Sequence, residues 1–148
     1  MLADGTLAPI EDIKIGTKIK SCDEIREKLS EATVVGTRAY RSISGIYSIC
    51  LSSGKILTLT SGHPILTERG WAALNLEIAN KEHPELGDII LLNKNDVVIG
   101  YKESFNIVEI IPRKDLENTI VYNIDVNPCH TYIAEDVIVH NVFLLNKM

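Results

Sequence analysis

The sequence predicts an all-β fold built from many short strands. Runs rich in β-branched and aromatic residues recur along nearly the whole chain. Turn-forming Gly, Asn, Asp and Pro residues separate them at the spacing of a sandwich or barrel-like fold. No long helical pattern breaks the series.

Taken in order, Asp4-Gly5 opens a hairpin-type turn. Such a turn should join two strands, yet only three residues precede it, where a strand of about 5–6 residues is expected. Pro9 to Ile13 reads as a short helical or 3₁₀ turn with acids near its start. An alternating strand begins at Lys18-Ile19-Lys20, and Asp23 to Glu31 reads as a loop or as a short helix over Glu24 to Leu29. From Ala32 the pattern is β, with strands over Thr33 to Thr37, Ile46 to Leu51 and Lys55 to Thr60. Ser52-Ser53-Gly54 makes the last two a tight hairpin. Gly62-His63-Pro64 breaks the third strand, which resumes at Ile65 to Thr67 before a turn at Glu68 to Gly70 and an aromatic anchor, Trp71. Ala72 to Ile78 fits one helical turn, and Asn80 to Glu85 is polar, so that its His83 is expected at the surface. Strands follow at Ile89 to Leu92, Val97 to Gly100 and Ile107 to Ile111, with Tyr101 to Asn106 as a connector. A charged loop, Arg113 to Asn118, leads to the last strands: Thr119 to Val126, Thr131 to Ile133 and Val137 to His140.

Size and charge bound the function. At 148 residues the chain is one domain by length. A chain of this size buries about 68–70% of its unfolded surface, so it needs no disulfide or metal staple. Apolar residues make up 45% and charged residues 24%, as in an ordinary globular protein. Net charge is −5, and Lys and Arg form no stripe, which argues against a nucleic-acid partner. No apolar run is long enough to span a bilayer and no signal peptide is evident, so no membrane partner and a cytoplasmic location are expected. The three cysteines, Cys22, Cys50 and Cys129, are odd in number and lack CxxC or CxxH spacing. A disulfide framework and a zinc site are therefore not expected. Cys22 and Cys50 alternate with apolar neighbours and read as core, and Cys129 reads as a packed thiol.

Two local patterns carry chemistry. The strand Val137 to His140 runs straight into Asn141. An Asn side-chain amide can attack its own backbone carbonyl, close a succinimide and cut the chain after it. The reaction is intramolecular, so proximity supplies much of its rate. His140 is placed to polarise that carbonyl or protonate the departing amine. The second pattern, Thr60-Ser61-Gly62-His63, sets a hydroxyl and an imidazole at i and i+3 where Pro64 breaks a strand. Such a pair can stabilise an oxyanion and protonate a leaving amine. Either pattern alone also reads as an inert turn.

The set, in its order, resembles the hedgehog/intein (Hint) domains. TLTSGHPILTERGW resembles their TxxH motif, and ADGTLAPIEDIKIGTKIKS their early segment. Leu86 to Ile90 is similar to their LxxGDxL strand. Val121-Tyr122 through His130-Thr131-Tyr132, then Val137 to Asn141, resemble the two closing motifs. The likeness runs from about Leu2 to Asn141, with residues 142–148 as a flanking tail. It implies the horseshoe-like, all-β Hint fold and autocatalytic protein splicing without a cofactor. In that family a Cys or Ser at the first position attacks the peptide bond before it, a step for which Thr60 and His63 would serve here. Cyclisation of Asn141, assisted by His130 and His140, would release the domain from its flanking (extein) sequences. The length leaves no room for an inserted endonuclease.

Three departures shape the expectation. The chain does not start on a nucleophile, and its orphan turn at Asp4-Gly5 matches a point about ten residues into such a domain, roughly one strand and a connector. This implies an intein split very early, whose partner is a short N-terminal fragment carrying a Cys or Ser and adding a strand to an open edge. Without that partner, partial disorder and poor solubility are expected. Val142 cannot accept an acyl group and reads as an inactivating replacement of Thr, Ser or Cys, nearly isosteric with Thr. Asn123 stands where the family often has an acid, and Asp125, two residues on and on the same strand face, is the candidate substitute. Two other readings remain: a bacterial intein-like domain that cleaves at Asn141 alone, and an inert β domain used for binding.

Overall fold

The computed structural model describes residues 1–23, 28–41 and 45–140. Asn141, Val142 and the tail to Met148 lie outside the described residues, as does Glu24 to Glu27 of the expected loop or helix.

Strands β1 (Lys18–Asp23) and β2 (Lys28–Arg41) form an antiparallel pair, and β10 (Ile120–Asn127) pairs with the far half of β2. Together they make a three-stranded sheet in the order β1-β2-β10. The remaining strands are β3 (Ile46–Leu51), β4 (Ile56–Thr60), β5 (Ile65–Thr67), β6 (Gly70–Ala73), β7 (Ile90–Leu91), β8 (Val97–Ile99), β9 (Ser104–Pro112), β11 (Thr131–Ala134) and β12 (Val137–His140). Among the described residues they form a second sheet, β11-β12-β5-β8-β9-β3-β4, with β6 and β7 extending from β5. Among the described residues one α-helix, α1 (Leu76–Glu82), and three short 3₁₀ turns, Ile10–Asp12, Pro84–Leu86 and Lys114–Leu116, interrupt the strands.

Period-two patterning drives these strands. In β4 Leu57 and Leu59 are buried while Ile56 and Thr58 face solvent. The β3–β4 hairpin closes at Gly54, whose N–H donates to the Leu51 carbonyl (2.9 Å). Gly54 has φ of +88°, which a side chain would oppose. The two sheets share one core: Ile19, Val34 and Val126 from the first meet Ile49, Ile65 and Val137 from the second. Each such fully buried side chain contributes about 1.5–3 kcal/mol of transfer free energy.

Several expectations need correction. The polar stretch to Glu31 is strand from Lys28 onward, because Ser30 and Glu31 pair across to Ser21 and Lys20. The expected helical turn at Ala72 starts later. Residues Ala72 and Ala73 pair with Ile90 and Leu91, and α1 begins only after Asn75, whose Oδ1 caps it by accepting the Ile78 N–H (3.1 Å). The connector before β9 is shorter than expected, since Ser104 already pairs with Ile99. Cys50 is half-buried, because it lies between Ile49 and Leu51, which take the inward face, whereas Cys22 is buried as expected. The turn at Asp4-Gly5 is less of an orphan than it looked. Leu2 bridges to Ile19, the Ala3 N–H donates to Lys18, and the Lys20 N–H donates to Met1.

His83 is the largest departure: it is wholly buried. Its polar neighbours suggested a loop, but α1 places Ala79 and His83 one turn apart on the same inward face. The His83 N–H closes the helix on the Ala79 carbonyl (2.8 Å).

Candidate active site

Thr60 ends β4, and the chain turns at once: the His63 N–H donates to the Thr60 carbonyl (3.1 Å). Helix α1 lies directly against this turn. A Cβ added to Gly62 would sit 2.4 Å from Cγ2 of Ile78, so only glycine fits there. The Asn75 N–H donates to the Ser61 carbonyl (2.8 Å), tying the helix start to the same turn. The chain then enters β5, and β12 runs beside it with Val139 opposite Ile65. The His140 N–H donates to the Pro64 carbonyl (3.2 Å). The strand break at Pro64 and the end of β12 therefore meet.

His140 is buried, with rings on several sides. Trp71 and His83 each stand edge-on to it at 5.3 Å between centroids, and His130 lies at 6.3 Å. Nδ1 of His83 is 3.2 Å from Nδ1 of His140, so of these two nitrogens at most one carries a proton. Glu85 Oε1 is 3.8 Å from each of them. These three residues are the described group with metal-ligand geometry. The sequence, searched for cysteine spacings, did not reveal it.

His63 is half-buried and faces a cavity. Loss of solvent pushes its pKa down to about 4, against a backbone hydrogen bond with His140 that works the other way. It is therefore neutral near pH 7, able to donate from one ring nitrogen and accept at the other. Burial pushes His83 further, to about 3, with the imidazoles of His63 and His140 adding to the effect. Tyr132 stands edge-on to His63 at 6.4 Å, and burial raises its pKa. Tyr40 reaches Thr60 with a side-chain hydrogen bond, and its pKa is raised, chiefly by burial.

The cavity holds about 670 Å³. Its lining includes Thr60, His63, Asn123, Tyr132, Val139 and Met1. Of the residues singled out by sequence, Thr60, His63, His130 and His140 thus gather around the Pro64 turn and the end of β12. Asn141 follows His140 in the chain but lies outside the described residues. Asp125 does not line the cavity. It is buried in β10 and packs on Gly36, where an added Cβ would lie 3.0 Å from its Oδ2. Asn123 is the cavity-lining member of that pair, its Oδ1 turned back to accept the Ile124 N–H (2.9 Å).

His83, Glu85, Tyr132 and Tyr40 were missed by sequence reasoning. The Asn75 cap followed by Ala79 and His83 at i, i+4 was the available signal for the first.

No family model matches the sequence, and neither does any curated protein. Solved structures do match in fold. A DnaB intein from Synechocystis sp. PCC 6803 is 23% identical, with a TM-score of 0.75 over 96% of this chain and 92% of that one. A bacterial intein-like domain from Clostridium thermocellum is 23% identical, with a TM-score of 0.73 over 95% and 92%. A DnaX mini intein from Spirulina platensis is 19% identical, with a TM-score of 0.65 over 95% and 93%. The chain has the all-β intein Hint fold.

Proposed function

We propose that this chain is a self-processing domain of the protein-splicing kind, which cuts its own backbone between Asn141 and Val142. The observation that carries this reading is the meeting of His63 with His140, the residue just before Asn141, beside His130 and a cavity.

The Asn141 side-chain nitrogen attacks the Asn141 carbonyl carbon. A C–N bond forms in the succinimide, the bond to Val142 nitrogen breaks, and the amide proton passes to the departing amine. No water, oxidant or cofactor is consumed. His140 and His130 are the groups that carry the proton. His63, neutral and donating its one N–H to the His140 main chain, orients the end of β12 and offers its other ring nitrogen as an acceptor.

The cavity supports a role for a further segment. A strand N-terminal to Met1, on this chain or another, would extend the pairing of Met1 to Ala3 with β1 and enter the cavity beside Thr60 and His63. It would carry the Cys or Ser whose attack makes the thioester or ester, with Thr60 and His63 assisting. Asp125, behind Asn123, is the acid kept as a candidate for tuning that step. Val142 supplies no acceptor, so processing of this sequence ends in cleavage and not ligation.

The test is mass spectrometry of the purified full chain after incubation. Loss of residues 142–148, with a succinimide or Asn at position 141, is expected, and Asn141→Ala abolishes it. An unchanged mass, which persists when a Thr replaces Val142 and a candidate N-terminal peptide is added, overturns the reading. The second reading, cleavage with no ligation under any condition, is favoured by Val142 and by the likeness to the intein-like domain. Ligated flanks after adding an N-terminal peptide to the Val142→Thr variant would exclude it.

A further inference from the structure

We propose that His83, Glu85 and His140 form a binding site for a single divalent metal ion of the zinc class. The three donor atoms come from two distant parts of the chain: His83 and Glu85 follow α1, and His140 ends β12. They lie within 4.8 Å of one another.

The geometry is that of a ligand set. A tetrahedral zinc ion with Zn–N bonds of about 2.0–2.1 Å holds its nitrogen ligands about 3.3–3.4 Å apart. The two Nδ1 atoms are 3.2 Å apart. Glu85 Oε1 is 3.8 Å from both, so the three donors form an isosceles triangle, one face of a slightly open tetrahedron. Glu85 retains 29% side-chain exposure, so its carboxylate is free to close the remaining half ångström or so. Its exposure also leaves the fourth corner open to water.

The chemistry agrees with the geometry. Two imidazoles and a carboxylate make a borderline donor set that suits zinc and its neighbours and disfavours calcium or magnesium. Metal ligation needs a neutral imidazole, and burial keeps His83 in that form. Without an ion, the two Nδ1 atoms have one shared proton between them at the long end of hydrogen-bonding distance. With an ion, both lone pairs are used. Occupancy fastens the segment after α1 to β12. The proposal concerns a binding equilibrium and does not rest on the splicing reading. The donors at 83, 85 and 140 all remain on the chain if it is cut after Asn141.

The experiment is a cobalt(II) titration of the full chain after chelator treatment, read by visible absorption. One equivalent of cobalt is expected to give the intense d–d bands of a tetrahedral nitrogen–oxygen site, and one equivalent of zinc to remove them. Glu85→Gln keeps the shape of a part-exposed residue and is expected to weaken binding at least tenfold. His83→Gln is expected to weaken it by about 100-fold or more, the range reached even by loss of outer-shell partners. Circular dichroism checks that each variant folds, and Glu85→Gln alone suffices if His83→Gln does not. Weak octahedral bands, no bands, or Glu85→Gln binding as tightly as the parent would overturn the proposal. So would a sulfur-to-cobalt charge-transfer band, which would put the ion on Cys22, Cys50 or Cys129.

Discussion

Lowering the pH from about 7 to about 4 destabilises this protein in part through His63. In the unfolded chain its imidazole titrates at 6.5, and in the fold at about 4. Between those values the unfolded chain binds the proton and the fold does not. The stabilisation is therefore whole above pH 6.5 and is lost as the pH falls toward 4. At about 1.36 kcal/mol for each pH unit, the gap sets a ceiling of about 3.4 kcal/mol. His63 is only half-buried and faces the cavity, so water there screens part of the cost, and about 2 kcal/mol is expected. The assay is urea unfolding followed by fluorescence of Trp71, the one tryptophan, which stands against His140. Parent and His63→Gln are compared at both pH values. The carboxylates and His83 titrate in both proteins and largely cancel. The parent should lose about 2 kcal/mol more than the variant on acidification. Equal losses, within about 0.5 kcal/mol, would mean that the imidazole is solvated, and the case for a neutral His63 at the end of β12 fails.

Other perturbations probe the frame around the site. Thr131→Val strands a buried network: the Thr131 hydroxyl bonds Ser21 Oγ (2.9 Å) and receives the Cys22 N–H (2.9 Å), so a stability loss of about 1–3 kcal/mol is expected in denaturant unfolding. In Gly100→Ala the new Cβ meets the Glu103 carbonyl at 2.5 Å and the Asp136 carbonyl at 2.6 Å, both main chain, so the thermal midpoint should fall by several degrees. Arg69 holds the buried Asp96 carboxylate below its ordinary range, so Arg69→Gln should move the onset of acid unfolding to higher pH, as seen by circular dichroism. His140→Ala should slow cleavage after Asn141 by about 10²–10⁴-fold in a mass-spectrometric time course, while His130→Ala should slow it less if His140 carries the proton.

The strands were legible because a period of two is a local property. Leu57 and Leu59 announce an inward face whatever their partners are. The TSGHP break and the end at His140 were legible for the same reason: each is a short pattern, and their order along the chain gave the family likeness. Errors arose where a neighbour decides the outcome. Ser30 and Glu31 look like loop until β1 lies beside them, and the Tyr101 connector is shorter because Ser104 finds Ile99.

The amino-acid sequence by itself determined the all-β class, the positions of the chain breaks and the candidate residues at 60, 63, 130 and 140. Tertiary structure alone decided which of these meet. His83 and His140 are 57 residues apart in the chain and 3.2 Å apart in space. Nothing in the spacing of a strand says which other strand will lie next to it, because pairing is settled by the burial of both. The cavity, the neutral state of His63 and the His83–Glu85–His140 cluster all follow from that long-range packing, which brings β5, α1 and β12 to one point.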